Sequence, residues 1–314
     1  MSTDGAHYLD LPGRRRLAWT RYGDPSLRNP LLYLHGFPGS RLEPAFAHDL
    51  ARTKGLTIIA PDRPGFGLSD DAADRTIGSW AGDARALLDA LQIERCAVLA
   101  ISGGAPYGIA TALGLPDRIT RLLLVSGVAP QRPGNLTGMT MLNQALFTLG
   151  ASLPAAARLL VGLVGLSWRV APTFGVAWLK LLNCAADRAI LDRGAITAAL
   201  TANFAASLAR SVTPAARDFT LIAGDWQLPL HQLTVPTHIR HGTADTYVPP
   251  AMGHTLAELL PGSRLTLVPE GGHFMAVDLM EELLTEAVES LGGGTLSSST
   301  HPVRSGVSSP PADL

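Results

Sequence analysis

Leu99-Ala100-Ile101-Ser102-Gly103-Gly104 is the stretch from which the fold is read. An apolar strand, Cys96–Ile101, runs straight into a serine flanked by small residues, and a helix over Ala105–Leu115 follows at once. A serine on so tight a strand-to-helix turn sits in a strained backbone conformation, with its Oγ lifted above the end of the sheet. Small residues two before it and two after it let strand and helix approach closely. The pattern is that of the nucleophile elbow G-x-S-x-G, with Ala100 in place of the first glycine. The bland alternative is a glycine-rich turn carrying a surface serine. The rest of the chain decides between them.

Upstream of this stretch, His7–Leu11 and Arg16–Tyr22 read as two strands of a hairpin around Pro12-Gly13. Leu31–Leu34 is a short apolar strand ending in His35-Gly36-Phe37-Pro38-Gly39-Ser40, and Leu42–Thr53 is helical in pattern. Leu56–Ala60 is a further buried strand, leading into Asp62-Arg63-Pro64-Gly65-Phe66-Gly67-Leu68-Ser69-Asp70. Trp80, Ala84, Leu87, Leu88 and Leu91 recur at helical spacing, with Thr76 and Ser79 as candidate caps. Downstream, Arg121–Val125 is the next strand. Continuous apolar runs separated by helices predict an α/β fold: a mostly parallel sheet with helices on both faces. The alternation stops at 130–213, an Ala/Leu-rich stretch of helical segments, and returns with Thr237–Arg240, Met252–Leu260, Arg264–Val268 and Met275–Leu291. The expected organisation is a core domain formed by 1–129 and 214–291, a helical cap inserted at 130–213, and a Gly/Ser/Pro-rich disordered tail at 292–314.

At 314 residues, 46% hydrophobic and net charge −1, the chain has enough core for one large domain with an insertion, and no charge imbalance directs it to nucleic acid or an anionic membrane. Cys96 and Cys184 give no disulfide framework, and Cys96 reads as core. Met1–His7 has neither a basic n-region nor an apolar h-region, and Met141–Trp168 is too interrupted to span a membrane, so a cytoplasmic chain is expected.

A serine hydroxyl is a weak nucleophile; it needs a base, and the base needs an orienting acid. Such groups gather at the carboxyl ends of strands in open α/β sheets. Ser102 ends one strand, Asp245 follows Thr237–Arg240 within His241-Gly242-Thr243-Ala244-Asp245, and His273 follows Arg264–Val268 within Glu270-Gly271-Gly272-His273-Phe274. Together with the loops at His35–Gly39 and Asp62–Ser69, these pieces resemble the α/β-hydrolase superfamily over about residues 7–291, in the chain order Ser, Asp, His. The resemblance implies Ser102 as nucleophile, His273 as general base then acid, and Asp245 as orienting acid. Asp245 also reads as a simple turn former, and His273 as a cap of the last helix. The position after Ser126, where some relatives carry the acid, has no carboxylate, and Asp225 is the next candidate.

The expected oxyanion-hole donors are the backbone N–H groups of Gly103 and Phe37, since Pro38 has none. Losing one such donor costs about 3 kcal/mol of transition-state stabilisation. His35 and His241 read as loop-bracing residues. Asp62 and Arg63 read as a charged pair ordering a Pro/Gly-rich loop rather than as a substrate clamp. The remaining histidines form no metal-ligand spacing, so no metal and no cofactor are expected. Among the insertion's aromatics, Trp168 and Phe174 are the candidates for lining a substrate pocket.

A serine at the elbow argues against the aspartyl-ester chemistry of the resembling epoxide hydrolases and haloalkane dehalogenases. The leading expectation is acyl-enzyme hydrolysis of a carboxylic ester of a mainly apolar small molecule. C–C bond hydrolysis of a β-ketonic substrate, thioester or lactone hydrolysis, and a non-catalytic ligand receptor on the same fold remain open. Oligomeric state is not legible.

Overall fold

The computed structural model describes residues 5–292. The chain opens on an antiparallel hairpin, β1 (His7–Leu11) and β2 (Arg15–Gly23). The two are joined by a 3-10 turn in which Gly13 and Arg14 both take positive φ, +77° and +61°. β3 (Pro30–Leu34), α1 (His48–Thr53), β4 (Thr57–Pro61), α2 (Trp80–Ala90), β5 (Cys96–Ile101), α3 (Ala105–Gly114) and β6 (Ile119–Val125) then alternate. Six helices follow: α4 (Met141–Ser152), α5 (Pro154–Val170), α6 (Pro172–Leu182), α7 (Ala185–Leu191), α8 (Gly194–Ser207) and α9 (Thr213–Ala223). The sheet resumes with β7 (Thr237–Gly242), α10 (Pro250–Leu259), β8 (Arg264–Val268) and α11 (Met280–Ser290). The eight strands lie in the order β1-β2-β4-β3-β5-β6-β7-β8. β1–β2 and β2–β4 pair antiparallel and the five other neighbouring pairs are parallel, the α/β architecture expected from the sequence.

Alternation along the central strands sends successive side chains to opposite faces, which need separate covers. Leu32, Leu34, Val98, Ala100, Leu122 and Leu124 pack with Trp80, Leu87, Tyr107 and Ile109 of α2 and α3. Leu31, Tyr33, Leu99, Ile101, Leu123 and Val125 pack with Ala51, Met280, Leu283 and Leu284 of α1 and α11. β3, β4, β5 and β7 are buried at every position, which places the end of β5 in the middle of the molecule. A third cluster joins Trp168, Val176, Leu179, Leu191, Phe204, Leu208 and Ala215 of the six intervening helices to Phe66.

Three local expectations are corrected. The helix expected over Leu42–Thr53 is split into a 3-10 turn, Glu43–Ala47, followed by α1, because Pro44 offers no N–H and Ala45 bonds back to Leu42 instead. The last helix begins at Met280 rather than Met275, since Val277 and Asp278 make tighter bonds to Phe274 and Met275 first. Asp62 and Arg63 do not pair with each other: Asp62 takes Arg41, while Arg63 takes Asp218. The expected tail at 292–314 lies outside the described residues except for Gly292, which sits in a turn. Among the described residues no single helix is long and apolar enough to cross a membrane.

Candidate active site

β5 ends at Ser102, whose φ is +52°, a left-handed conformation that costs a non-glycine residue about 1–3 kcal/mol. The packing around it fixes that turn. A Cβ on Gly104 would stand 2.4 Å from the Leu34 carbonyl oxygen, so the start of α3 touches the end of β3 directly. A Cβ on Gly108 would stand 2.7 Å from the Ala100 methyl. The methyl that departs from the usual elbow glycine is therefore accommodated by a glycine one turn into α3. A Cβ on Gly103 would stand 2.7 Å from Phe37 Cβ and 3.3 Å from Phe37 N, so the backbones of the two expected oxyanion donors are adjacent.

His273 and Asp245 are brought together. His273 Nδ1 and Asp245 Oδ2 are 2.9 Å apart, and both residues are buried. Asp245 is held in turn by the N–H groups of Tyr247 and Val248, which donate to Oδ1 at 2.9 and 2.8 Å. Burial pulls the His273 pKa down, but the charge and hydrogen bond of Asp245, with the charges of Asp187 and Glu43, outweigh it, and the net shift is upward from 6.5. Ser126 Oγ donates to the His273 carbonyl at 3.1 Å, and the Tyr247 ring lies 4.9 Å from the imidazole. Asp225, the alternative acid, is exposed and only caps its own turn through the Gln227 N–H.

His35 braces its loop: Arg63 N–H donates to Nε2, while Nδ1 faces the Gly36 carbonyl at 2.9 Å. Burial and the Arg63 charge hold its pKa well below 6.5. His241 donates from Nε2 to the Val248 carbonyl. Arg63 also bonds the carbonyls of His35 and Gly36, so the residue expected to order its own loop orders the oxyanion loop as well.

Two chambers meet at Ser102, each partly open to solvent. Phe37, Pro38, Ser102, Trp168 and Tyr247 line both. The first also holds His273, Glu43, Tyr33, Leu179, Leu200 and Phe204. The second is walled by Val128, Leu146, Phe147, Val161, Val164 and Phe219, with Asn143 as its polar side chain. Trp168 is thus where the sequence expects it. Phe174 is not: it is 63% exposed and stacks on Trp178, because the face of α6 that packs inward carries Val176 and Leu179.

Three polar residues around the site escape the sequence reading. Glu43 accepts from the Gly36 N–H at 3.0 and 3.1 Å and from the Tyr33 hydroxyl at 2.9 Å, and burial pushes its pKa above the ordinary value. Asn203 of α8 accepts the Ser40 N–H at 2.8 Å and reaches Glu43 with its amide. Asp187 of α7 accepts the backbone N–H groups of His273 and Phe274 at 2.9 and 2.8 Å. The only prior signal for any of them is a carboxylate in an otherwise charge-poor segment. Among the described residues no three His, Cys, Asp or Glu side chains gather as a metal site.

Residues 29–278 match the family model described as alpha/beta hydrolase fold. The chain is 25% identical over 272 residues to a 2-hydroxymuconate semialdehyde hydrolase of Pseudomonas putida, a match covering 82% of this chain and 88% of that one. Among solved structures it is similar to an esterase from Exiguobacterium antarcticum, with a TM-score of 0.66, 19% identity, and 91% of this chain and 98% of the other covered. It is also similar to a bromoperoxidase from Bacillus anthracis, with a TM-score of 0.67, 18% identity, and coverage of 91% and 99%. At such identities the two solved structures speak to the fold alone.

Proposed function

The chain belongs to the α/β-hydrolase family, and from that premise we propose that it is a serine hydrolase that forms an acyl-enzyme on a carboxylic ester of a mainly apolar small molecule. The observation that carries this reading is a serine in left-handed conformation at the end of β5, lining one cavity with a histidine whose other nitrogen meets a buried aspartate. Ser102 Oγ attacks the ester carbonyl carbon as its proton passes to His273 Nε2. The oxyanion forms against the N–H groups of Gly103 and Phe37. Collapse breaks the C–O bond, and His273 returns the proton to the departing alkoxide. Water then gives a proton to His273 and attacks the acyl carbon; the C–O bond to Ser102 breaks, the acid leaves, and His273 returns the proton to Ser102 Oγ. Asp245 keeps the Nδ1 proton in place and stabilises the imidazolium.

The division of residues 1–129 with 214–291, and 130–213, into a catalytic core and a substrate-selecting cap is part of this proposal. The apolar lining of both chambers supports a substrate that is apolar on either side of the scissile bond. A fluorophosphonate probe followed by mass spectrometry tests the chemistry, with an adduct on the peptide containing Ser102 expected. An adduct on Ser69 or Ser126 refutes the assignment, and an unreactive protein with an occupied pocket favours a receptor. A second reading, hydrolysis of a C–C bond next to a ketone, is favoured by the similarity to the semialdehyde hydrolase. A panel of p-nitrophenyl esters of increasing chain length beside a β-diketone separates the two by relative kcat/KM.

A further inference from the structure

The loop that carries His273 is held by a carboxylate from one of the helices between β6 and β7. Asp187 lies in the first turn of α7, among the helices inserted between β6 and β7, and is fully buried. Its Oδ2 accepts the His273 N–H at 2.9 Å and its Oδ1 the Phe274 N–H at 2.8 Å, a two-pronged grip on consecutive peptide groups by a full negative charge. The Cys184 thiol lies 3.4 Å from Oδ2 at the start of the same helix. The loop is shaped for that carboxylate: a Cβ on Gly272 would stand 2.3 Å from Oδ1 and 2.4 Å from Cγ. On its other side the same loop is tied to the sheet domain by the Ser126 hydroxyl and by the Ala244 N–H, which donates to the Gly271 carbonyl at 2.9 Å.

We infer that Asp187 is a positioning residue for the reaction: the inserted helices, besides walling the substrate chambers, set His273 in register with Ser102 through this carboxylate. The inference rests on the reading of Ser102 and His273 given above. Two features separate it from simple loop packing. The grip falls on the peptide N–H of the base itself, so a displaced α7 moves the imidazole. The charge also acts on the base: the ionisable groups facing His273 are Asp245 and His241 of the β7 strand and its loop, Asp187 of α7, Glu43 behind the oxyanion loop and Tyr247. Of these, Asp245, Asp187 and Glu43 favour its protonated form. When the inserted helices are seated, the base is both placed and made more basic; when they lift, it loses both.

The test uses the full chain and a small fluorophosphonate, which does not need the chambers. Asp187→Ala should lower the rate of Ser102 labelling on the order of 100-fold, the effect of a catalytic group misplaced by about 1 Å. Asp187→Asn, which keeps the shape and one acceptor, should lose less. In both, the ascending limb of the kcat/KM profile should move to lower pH, because a charge that favours the imidazolium has gone. Gly272→Ala should slow labelling in the same way by pushing the carboxylate aside. Added to Asp187→Ala it should cost nothing more, since the group it collides with is absent. Variants that keep the wild-type labelling rate and the wild-type pH limb refute the inference. So do variants that only reduce the titratable active fraction in step with a lower Tm. Failure of the wild-type protein to label at Ser102 instead overturns the proposed function, and the inference with it.

Discussion

Replacing Asp245 by Asn should abolish catalysis while leaving the fold almost untouched, and the geometry says why the loss is large. Asp245 divides its two oxygens: Oδ1 takes the N–H groups of Tyr247 and Val248, and Oδ2 takes His273 Nδ1. An asparagine must place its carbonyl oxygen in one of these positions and its NH2 in the other. Turning the NH2 toward the backbone leaves two N–H groups facing donors, at about 1–3 kcal/mol each. The amide therefore keeps its oxygen on Tyr247 and Val248 and points its NH2 at His273. Nδ1 then has to accept, the ring proton moves to Nε2, and the nitrogen that should take the serine proton already carries one. The expected fall in kcat is about 10⁴-fold, or about 5.4 kcal/mol at 1.36 kcal/mol per decade. Stability loses the charge behind three hydrogen bonds that all stay paired, about 1–2 kcal/mol in all, which is roughly 2–8 °C in Tm. Steady-state hydrolysis of a p-nitrophenyl ester, the fluorophosphonate labelling rate and a thermal melt on the same sample measure all three quantities. A folded Asp245→Asn variant with kcat within tenfold of the wild type would refute the reasoning, and an inactive Asp225→Asn would move the acid there.

Trp168→Ala, which opens a wall common to both chambers, should change preference between short and long acyl chains by tens of fold, at about 1–3 kcal/mol per lost methylene contact, while Phe174→Ala, on the exposed face of α6, should leave it unmoved. Gly108→Ala should lower stability by about 1–3 kcal/mol in urea unfolding, because the new methyl meets that of Ala100, and Ala100→Gly in the same chain should restore it. The kcat/KM profile should rise with pH through a midpoint above 6.5: the neutral base is required, and His273 holds its proton beyond its ordinary range. A midpoint at or below 6.5 would contradict the assignment of Asp245 as its charged partner.

What the sequence discloses and what it hides follow from how local each signal is. Strand β5, the serine after it and the glycine spacing of α3 lie within a few residues of one another, so the elbow can be read from a short window. The β5 environment also explains why Ala100 is tolerated there: its partner Gly108 sits one turn into α3 of the same strand-helix unit. The order of Ser102, Asp245 and His273 is legible because each follows an apolar strand. Phe174 misleads because helical spacing alone does not say which side of α6 faces inward; that is set by Val176 and Leu179 packing on Trp168 and Phe204. Asp62 and Arg63 mislead because adjacency in sequence suggests a pair, whereas their side chains pair with Arg41 and Asp218 instead.

The residues that the sequence reading misses share one property: they join segments that lie far apart along the chain. Asn203 reaches back to Ser40 and Glu43, and Glu43 holds the Gly36 N–H next to the oxyanion donor Phe37. Asp187 reaches forward to His273 and Phe274. Asp218 of α9 gathers Arg63, Arg75 and the Tyr107 hydroxyl, all buried, and Arg63 carries the His35 and Gly36 carbonyls. Removing one partner from a buried charged joint of this kind leaves an uncompensated charge and is costly. In the proposed division of labour, these contacts also tie the inserted helices to the loops that carry the candidate catalytic groups. The oxyanion loop and the base loop each end on a polar side chain of the inserted helices. On the proposed reading, a ligand that shifts α7 or α8 would also shift the loops of Gly36 and His273, so a substrate-dependent change in the kcat/KM pH profile is expected.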